Sequence, residues 1–156
     1  MAPPPDFSRV ASRATGVARD RFGVRRAAIF WREADADGLK CIASAGEGGA
    51  AGWVGQTLAT GVGMAGRAVR EGRPVWTPDL LADPRVPVAA WLRERMEREG
   101  LHAVAAAPLR LGGVARGALG LLDAVGRHYD GEELNRLGSF ADEVSLALEQ
   151  ATTPGR

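Results

Sequence analysis

Apolar residues recur every three or four positions in three parts of the chain, the spacing of one face of an α-helix. The first stripe predicts a helix over residues 7–22, ended by Gly23. The second predicts a helix that Gly100 ends, and the third predicts a long closing helix. The stripes are Phe7, Val10, Ala14, Val17; Val88, Trp91, Leu92, Met96; and Leu134, Leu137, Ala141, Val144, Leu148, Ala151.

Two pairs of short apolar segments have the composition of β-hairpins. Residues 24–33 and 39–45 are rich in β-branched and aromatic residues, and the turn-forming DADG separates them. HAVAAAPLRL and VARGALGLLD flank two adjacent glycines at 112–113, the signal for a tight hairpin between mostly buried strands. The glycine-rich GEGGAAG at 46–52 predicts a loop after the first hairpin.

In the middle of the chain, glycine and proline residues separate short apolar segments. Glycines bracket residues 61–72, whose apolar positions share a face, so this segment predicts a short helix. The following EGRPVWTPDLLADPR, residues 71–85, contains three prolines. Because proline lacks an amide donor and restricts the residue before it, only residues 75–77 can form a strand, at a sheet edge. The rest predicts a rigid, ordered loop.

This order of elements predicts an α+β fold, with a central antiparallel sheet of about five or six strands and helices on both faces. A chain of 156 residues fits one domain. We assign residues 1–6 to a disordered tip, 7–151 to a single domain that includes both terminal helices, and 152–156 to a tail.

Charge and composition narrow the partners that the chain is expected to have. Its 20 basic and 19 acidic residues give a net charge of +1, so neither nucleic acid nor an anionic membrane surface is an expected partner. The apolar runs are too short to span a bilayer, and the N-terminal residues lack a secretion signal. With a single cysteine, Cys41, and therefore no internal disulfide, we expect a cytoplasmic protein.

Four segments together carry a resemblance to a known family. They are GVGMAG at 61–66, GRPVWTPDLLADPR at 72–85, GLHAVAAAPLRLGGVARGALGLLD at 100–123, and YDGEELNRLGSFADEVSLALEQA at 129–151. In this order and at these separations they resemble GAF domains, particularly those of bacterial sensor histidine kinases and related regulators. The resemblance implies a GAF/PAS-like sheet with a ligand pocket on one face, roofed by the loop and helices that precede the second hairpin.

Six residues are candidate ligand contacts in the implied pocket. The tryptophans could stack on a flat ligand, the aspartate and histidine could hydrogen-bond it, and the flexible methionines suit a permissive pocket. Each has a structural alternative: core packing for the tryptophans and methionines, a turn cap for the aspartate, and a satisfied polar residue for the histidine. The candidates are Met64, Trp76, Asp79, Trp91, Met96 and His102.

Specific chemistries of the implied family fit the sequence poorly. Asp123 and Ala124 stand where cyclic-nucleotide-binding members carry an Asn-Lys pair, and residues 91–100 contain no cysteine for a bilin. Methionine sulfoxide reductases of this family use several cysteines, since one must resolve a sulfenic acid formed on another. Neither metal-ligand spacing nor a Gly-x-Ser-x-Gly motif is present. We therefore expect no catalysis, and the sequence identifies no cofactor.

Three functional hypotheses remain open at this point. The first is a sensor, in which an unidentified small molecule shifts the structure and the terminal helices, paired in a homodimer, pass the change to an effector domain of a longer protein. The second is a ligand-free dimerisation spacer, with the pocket filled by Trp76, Trp91 and Met96. The third is an enzyme with Cys41 as a lone reactive thiol, which requires an exposed thiol of depressed pKa; as an interior strand residue it would be inert.

Overall fold

A computed structural model describes residues 5–152 of the chain. The predicted tip and tail fall mostly outside this range, but Asp6 and Thr152, assigned to them, belong to the first and last helices. The helices are α1 (Pro5–Phe22), α2 (Gly63–Glu71), α3 (Ala90–Glu99) and α4 (Gly131–Thr152), with a 3-10 turn at Leu80–Ala82. The strands are β1 (Arg26–Trp31), β2 (Leu39–Gly46), β3 (Thr57–Leu58), β4 (Val75–Thr77), β5 (Ala103–Leu111) and β6 (Val114–Asp123).

The six strands form one antiparallel sheet in the order β3-β2-β1-β6-β5-β4. Both predicted hairpins are confirmed: β1 pairs with β2, and β5 pairs with β6. The pairing of β1 with β6 joins the two hairpins into one sheet. The predicted strand at 75–77 is β4, which lies at the sheet edge between two prolines.

Glycines end the two short helices as their positions in the sequence predict. Gly72 and Gly100 follow α2 and α3 with φ of 69° and 71°, a left-handed conformation that favours glycine. Their amides donate to the carbonyl oxygens of Ala68 and Met96, in the last turn of each helix. Between β5 and β6 the two turn glycines also have positive φ, 59° and 81°.

The sheet separates two hydrophobic cores. Along β1, Ala27 and Ile29 face α1 and α4, whereas Ala28 and Phe30 face α2 and α3. This alternation follows from strand geometry, and β1 is buried along its whole length because helices cover both faces. No helix within residues 5–152 is long and apolar enough to cross a bilayer.

Candidate functional site

The face of the sheet under α2 and α3 holds the core in which the ligand pocket was expected. Three of the six candidates meet there: Met64 from α2, and Trp91 and Met96 from α3. Met64 is 2% exposed and Met96 is 0% exposed, while Trp91 is half-buried. The indole N–H of Trp91 donates to the Thr57 carbonyl oxygen at 2.7 Å. These side chains act as packing in this structure.

The centre of this region is occupied by Trp53, which directly follows the predicted loop at 46–52 and for which no role was predicted. Its side chain is 0% exposed and belongs to the same core as Phe30 and Met96. Its ring meets that of Trp91 edge to face, with centroids 5.8 Å apart. Trp91 in turn lies 6.3 Å from Phe30, so an aromatic row crosses the interior from the 47–57 segment to β1.

A buried charge network holds Trp53 in place. The Trp53 indole N–H donates to Glu99 Oε2 at 2.8 Å, and the Arg26 guanidinium lies 4.8 Å from the Trp53 ring centroid. Arg26 Nε donates to Glu99 Oε1 at 2.8 Å, and Arg95 donates to Oε2 at 3.2 Å. The carboxylate thus joins the end of α3 to the start of β1 and to the loop.

Arg26 is nearly fully buried, at 1% exposed, and each of its nitrogens has an acceptor. Besides the carboxylate, the guanidinium donates to Ser44 Oγ at 2.8 Å and to the carbonyl oxygens of Glu47 and Gly49, both at 2.9 Å. A buried charge is tolerated only with such partners. Arg26 therefore ties together β1, β2 and the beginning of the 47–57 segment.

Glu99 is ionised more readily than an ordinary glutamate. Burial opposes its ionisation, but hydrogen bonds from Trp53 and Arg26, together with the charges of Arg26 and Arg95, outweigh burial and lower its pKa. At neutral pH the group that accepts the Trp53 N–H is therefore a carboxylate.

Asp79 and His102 form a pair of their own at the end of the sheet. His102 Nδ1 lies 3.2 Å from Asp79 Oδ1, and the two side chains are 36% and 37% exposed. Asp79 occupies the N-cap position of the 3-10 turn, but its side chain makes no capping hydrogen bond. The structure therefore supports mutual pairing of the two side chains rather than the expected turn cap.

Trp76 lies on the opposite face of the sheet from Met64, Trp91 and Met96. Its neighbours in β4, Val75 and Thr77, are buried, with Val75 in the core under α2 and α3, so strand alternation points Trp76 toward α1 and α4. There its ring packs edge to face on Tyr129 at 5.8 Å and His128 at 5.5 Å. The expectation that Trp76 shares a pocket with Trp91 and Met96 does not hold in this fold.

The model of the GAF domain family matches residues 6–148. The chain belongs to the GAF domain family. GAF domains are regulatory and sensory modules found in signalling proteins. The resemblance stated from the sequence is thereby confirmed, as is the α+β fold with its six-stranded antiparallel sheet. A comparison with curated proteins gave no significant match.

Solved structures share this GAF fold at low sequence identity. The second GAF domain of DevS from Mycobacterium smegmatis has a TM-score of 0.74 and 20% identity, covering 94% of this chain and 95% of that one. Free methionine-R-sulfoxide reductase from Neisseria meningitidis has a TM-score of 0.74 and 18% identity, covering 94% and 80%. The blue-light absorbing PixJ GAF domain of Thermosynechococcus elongatus has a TM-score of 0.69 and 16% identity, covering 93% and 86%. Because regulators and an enzyme share the fold, it does not decide between these functions.

The Cys41 thiol of this GAF domain has neither the exposure nor the low pKa of a reactive cysteine. It is 0% exposed, within the core under α2 and α3, and burial is the main cause that raises its pKa to about 12. The hypothesis of a lone-thiol enzyme required an exposed group of lowered pKa, so it is contradicted. Among residues 5–152, no group of three or more histidine, cysteine or acidic side chains is placed to hold a metal ion.

Four surface cavities of the described GAF domain are lined by residues other than the six candidates. One of about 430 Å³ lies beside Leu101, between the ends of α1 and α3. Another, of about 290 Å³, lies against β2 and β3, and a third, of about 210 Å³, lies beside Phe22 and Phe140. The fourth, of about 320 Å³, is an apolar groove between α1 and α4.

Three residues that organise the interior of this GAF domain were not predicted from the sequence: Trp53, Arg26 and Glu99. One signal for Trp53 was available, since a lone aromatic residue within a glycine- and alanine-rich stretch has little reason to be in a solvated loop. For the ion pair no signal existed. The partners are 73 positions apart, and each stands beside other charged residues.

Proposed function

We propose that this GAF domain is a regulatory module of a bacterial signal-transduction protein, such as a histidine kinase of a two-component system, and that it works as a homodimer through α1 and α4. The observation that carries the proposal is the apolar groove between these two helices. Both helices are terminal elements of the domain, so a change in how they pair would be passed directly to an attached effector domain.

The groove combines exposed apolar surface with complementary charge. Val17 is 36% exposed and Leu146, next in the chain to the groove residue Ala147, is 57% exposed. Arg13 from α1 and Glu143 from α4 line the same groove. Because a two-fold interface brings the same surface of both copies together, a groove that carries both an arginine and a glutamate is compatible in charge with a second copy of itself, which favours that copy as the occupant.

The filled interior favours homodimerisation, rather than binding of a ligand in a preformed cavity, as the role of the domain. Met64, Met96 and Trp53 are each 2% exposed or less, so the space that the resemblance assigned to a ligand holds the protein's own side chains. This matches the spacer hypothesis in substance, although Trp53 rather than Trp76 fills the space. Sensing of a small molecule there requires a side chain to leave.

Sedimentation equilibrium of the isolated chain tests the pairing. We expect a dimer at micromolar concentrations, and we expect Val17→Arg to raise its dissociation constant by at least about 100-fold, because a charge would be buried in the apolar contact. The matched control is Val54→Arg, the same change at a 50% exposed residue next to Trp53, which belongs to the core on the other side of the sheet. A monomeric wild type, or equal dimerisation of the Val17 variant, would overturn the proposal.

A further inference from the structure

The cavity of about 430 Å³ beside Leu101 is lined mainly by charged side chains, and we call it the arginine cleft. It differs from the ligand pocket that the resemblance implies under α2 and α3, because Arg19 belongs to α1 and Arg25 to the link between α1 and β1. The cleft therefore lies at the end of the sheet, where α1 and α3 both end. Its lining residues are Arg19, Arg25, Glu47, Arg98, Glu99 and Leu101.

Two of the three arginines in the cleft have no carboxylate partner. Within residues 5–152, neither Arg19 nor Arg25 forms an ion pair, and Arg25 donates one long hydrogen bond, at 3.4 Å, to the Glu99 carbonyl oxygen. Arg19 is half-buried, so its charge is partly removed from solvent. Arg98 differs from both, since it pairs with Glu94 at 2.9 Å. A partly desolvated guanidinium without a counter-charge is stabilised by an added anion.

The two glutamates of the cleft differ in how far they oppose an anion. The carboxylate of Glu99 is already neutralised, because it accepts hydrogen bonds from Arg26 at 2.8 Å and from Arg95 at 3.2 Å. Glu47 is exposed, and its carboxylate pairs with no arginine in the described part of the chain. The unpaired positive charge of the cleft is thus opposed by Glu47 but not by Glu99.

We propose that the arginine cleft binds the phosphate group of a small polar phosphomonoester. Guanidinium groups form paired, charge-assisted hydrogen bonds with phosphate. The three arginines come from α1, from the α1–β1 link and from α3, and a tetrahedral phosphate has oxygens in several directions for them, whereas a carboxylate has two in one plane. None of the described residues that line the cleft is aromatic, so the cleft has no surface on which a nucleobase would stack.

A phosphate bound by Arg19 and Arg98 connects α1 with α3, which pack on opposite faces of the sheet. The ligand thereby favours arrangements in which the end of α1 is held close to α3. The proposal does not depend on homodimerisation, since the groove between α1 and α4 is lined by other residues of α1.

Nuclear magnetic resonance of the native chain with glycerol 3-phosphate as the probe tests the proposal at constant ionic strength. We expect saturable shifts of the Arg19 and Arg25 side-chain Nε–H signals and of the Leu101 amide, with a dissociation constant of about 1 mM or lower. Succinate, a dicarboxylate, should bind at least about tenfold more weakly, because its carboxylates engage fewer of the arginines. The absence of saturable shifts, or equally tight binding of succinate, would overturn the proposal.

Titration of glycerol 3-phosphate into three variants gives a second measurement. Arg19→Gln should raise the dissociation constant at least about tenfold, because a charge-assisted pair is lost. The matched control is Arg70→Gln, the same change at an exposed arginine of α2 that does not line the cleft, and it should change binding less than about twofold. Glu47→Gln should lower the dissociation constant at least about threefold, because it removes a like charge.

Equal effects of Arg19→Gln and Arg70→Gln would mean that the anion is attracted by the overall charge of the protein, which contradicts a built site. Binding by Glu47→Gln that is no tighter than that of the wild type also contradicts the proposal, since the phosphate would then lie away from Glu47. If Arg19→Gln does not fold, the titrations of the native chain and of Glu47→Gln decide.

Discussion

Arg26 shows how a single residue can connect three parts of the fold. Its guanidinium is buried in a low-dielectric environment, where an unpaired charge would be very costly. Four hydrogen-bonding groups are therefore arranged around it: a carboxylate, a hydroxyl and two carbonyl oxygens. Close packing adds to this, since a Cβ at Gly46 would lie 2.6 Å from Arg26 Cζ. A side chain at position 46 would therefore displace the Arg26 guanidinium, which is held 20 residues earlier in the chain, from its hydrogen-bond partners.

Replacing Arg26 by methionine should lower the free energy of unfolding by about 3–5 kcal/mol, because Glu99 and the loop carbonyls lose a buried partner. Urea denaturation measures the loss. The control is Arg98→Met, which removes an arginine with a 63% exposed side chain that is paired with Glu94 one helical turn away. That change should cost less than about 0.5 kcal/mol. Similar losses in the two variants would show that Arg26 is not an essential link.

Cys41 should resist alkylation in the folded domain. Because its thiol is buried and its pKa is raised to about 12, the thiolate fraction at pH 8 is about a thousandfold below that of a free cysteine. We expect iodoacetamide to react at pH 8 only as fast as the chain unfolds, and promptly in urea. Val125→Cys in a Cys41→Ala background is the control, since Val125 is 72% exposed. Prompt, stoichiometric reaction of native Cys41 would contradict this prediction.

At the scale of the element, β6 lies close to β1 because Gly117 has no side chain. A Cβ at this position would lie 2.3 Å from the carbonyl oxygen of Phe30 and 2.7 Å from Cε3 of Trp31. Neither distance is compatible with atomic radii, and one of the two contacts is backbone that cannot rotate away. Gly117 thus permits the strand pairing that joins the two hairpins.

Gly117→Ala should therefore destabilise the domain by about 1–3 kcal/mol, the range of overpacked interiors. Gly120→Ala is the control on the same strand, since a Cβ there would meet its nearest atoms at 3.8 Å, an ordinary contact. Urea denaturation of the two variants and the wild type measures the difference. Equal stability of the two variants would mean that β1 and β6 can accommodate a methyl group at position 117 without loss of folding free energy.

The elements that the sequence predicted correctly are those with local signals. Each of these signals depends on a few neighbouring residues: an apolar helical stripe, a turn glycine or a proline restriction. All four helices and both hairpins follow from them. The strand β3 was missed because Thr57 and Leu58 are too short a segment to show a pattern. The face of Trp76 was also beyond local reasoning. Alternation separates it from Val75, but only long-range pairing decides which core each one enters.

The whole molecule consists of two cores that share one sheet. The core under α1 and α4 supports the surface proposed for pairing, and the core under α2 and α3 contains Trp53. Unfolding of the complete domain must break both cores. Release of the 47–57 segment breaks the contacts of Trp53 and the hydrogen bonds of the segment to Arg26, β2 and α3, and leaves the core under α1 and α4 intact. A domain built this way should open in parts, with the central strands as its most protected element.

Amide hydrogen exchange distinguishes partial opening from unfolding of the whole domain. The Gly55 amide donates to the Cys41 carbonyl oxygen at 2.9 Å, and the Cys41 amide donates to Gln56 at 2.8 Å. Trp53→Ala should speed exchange of these two amides at least about tenfold more than that of the β1–β6 amides, because the anchor of the segment is gone. Phe140→Ala, which empties part of the other core, should speed all of them alike.

If Trp53→Ala instead speeds exchange uniformly, the segment is not a separate unit of opening. Trp53 could then leave its site only when the sheet itself unfolds, and a ligand could not replace it in the native domain. Because the exchange rates of the two amides are measured against the central strands of the same molecule, a general loss of stability cannot be mistaken for release of the segment. These relative exchange rates therefore decide whether the filled interior of this GAF domain stays closed in the native state or opens when the 47–57 segment is released.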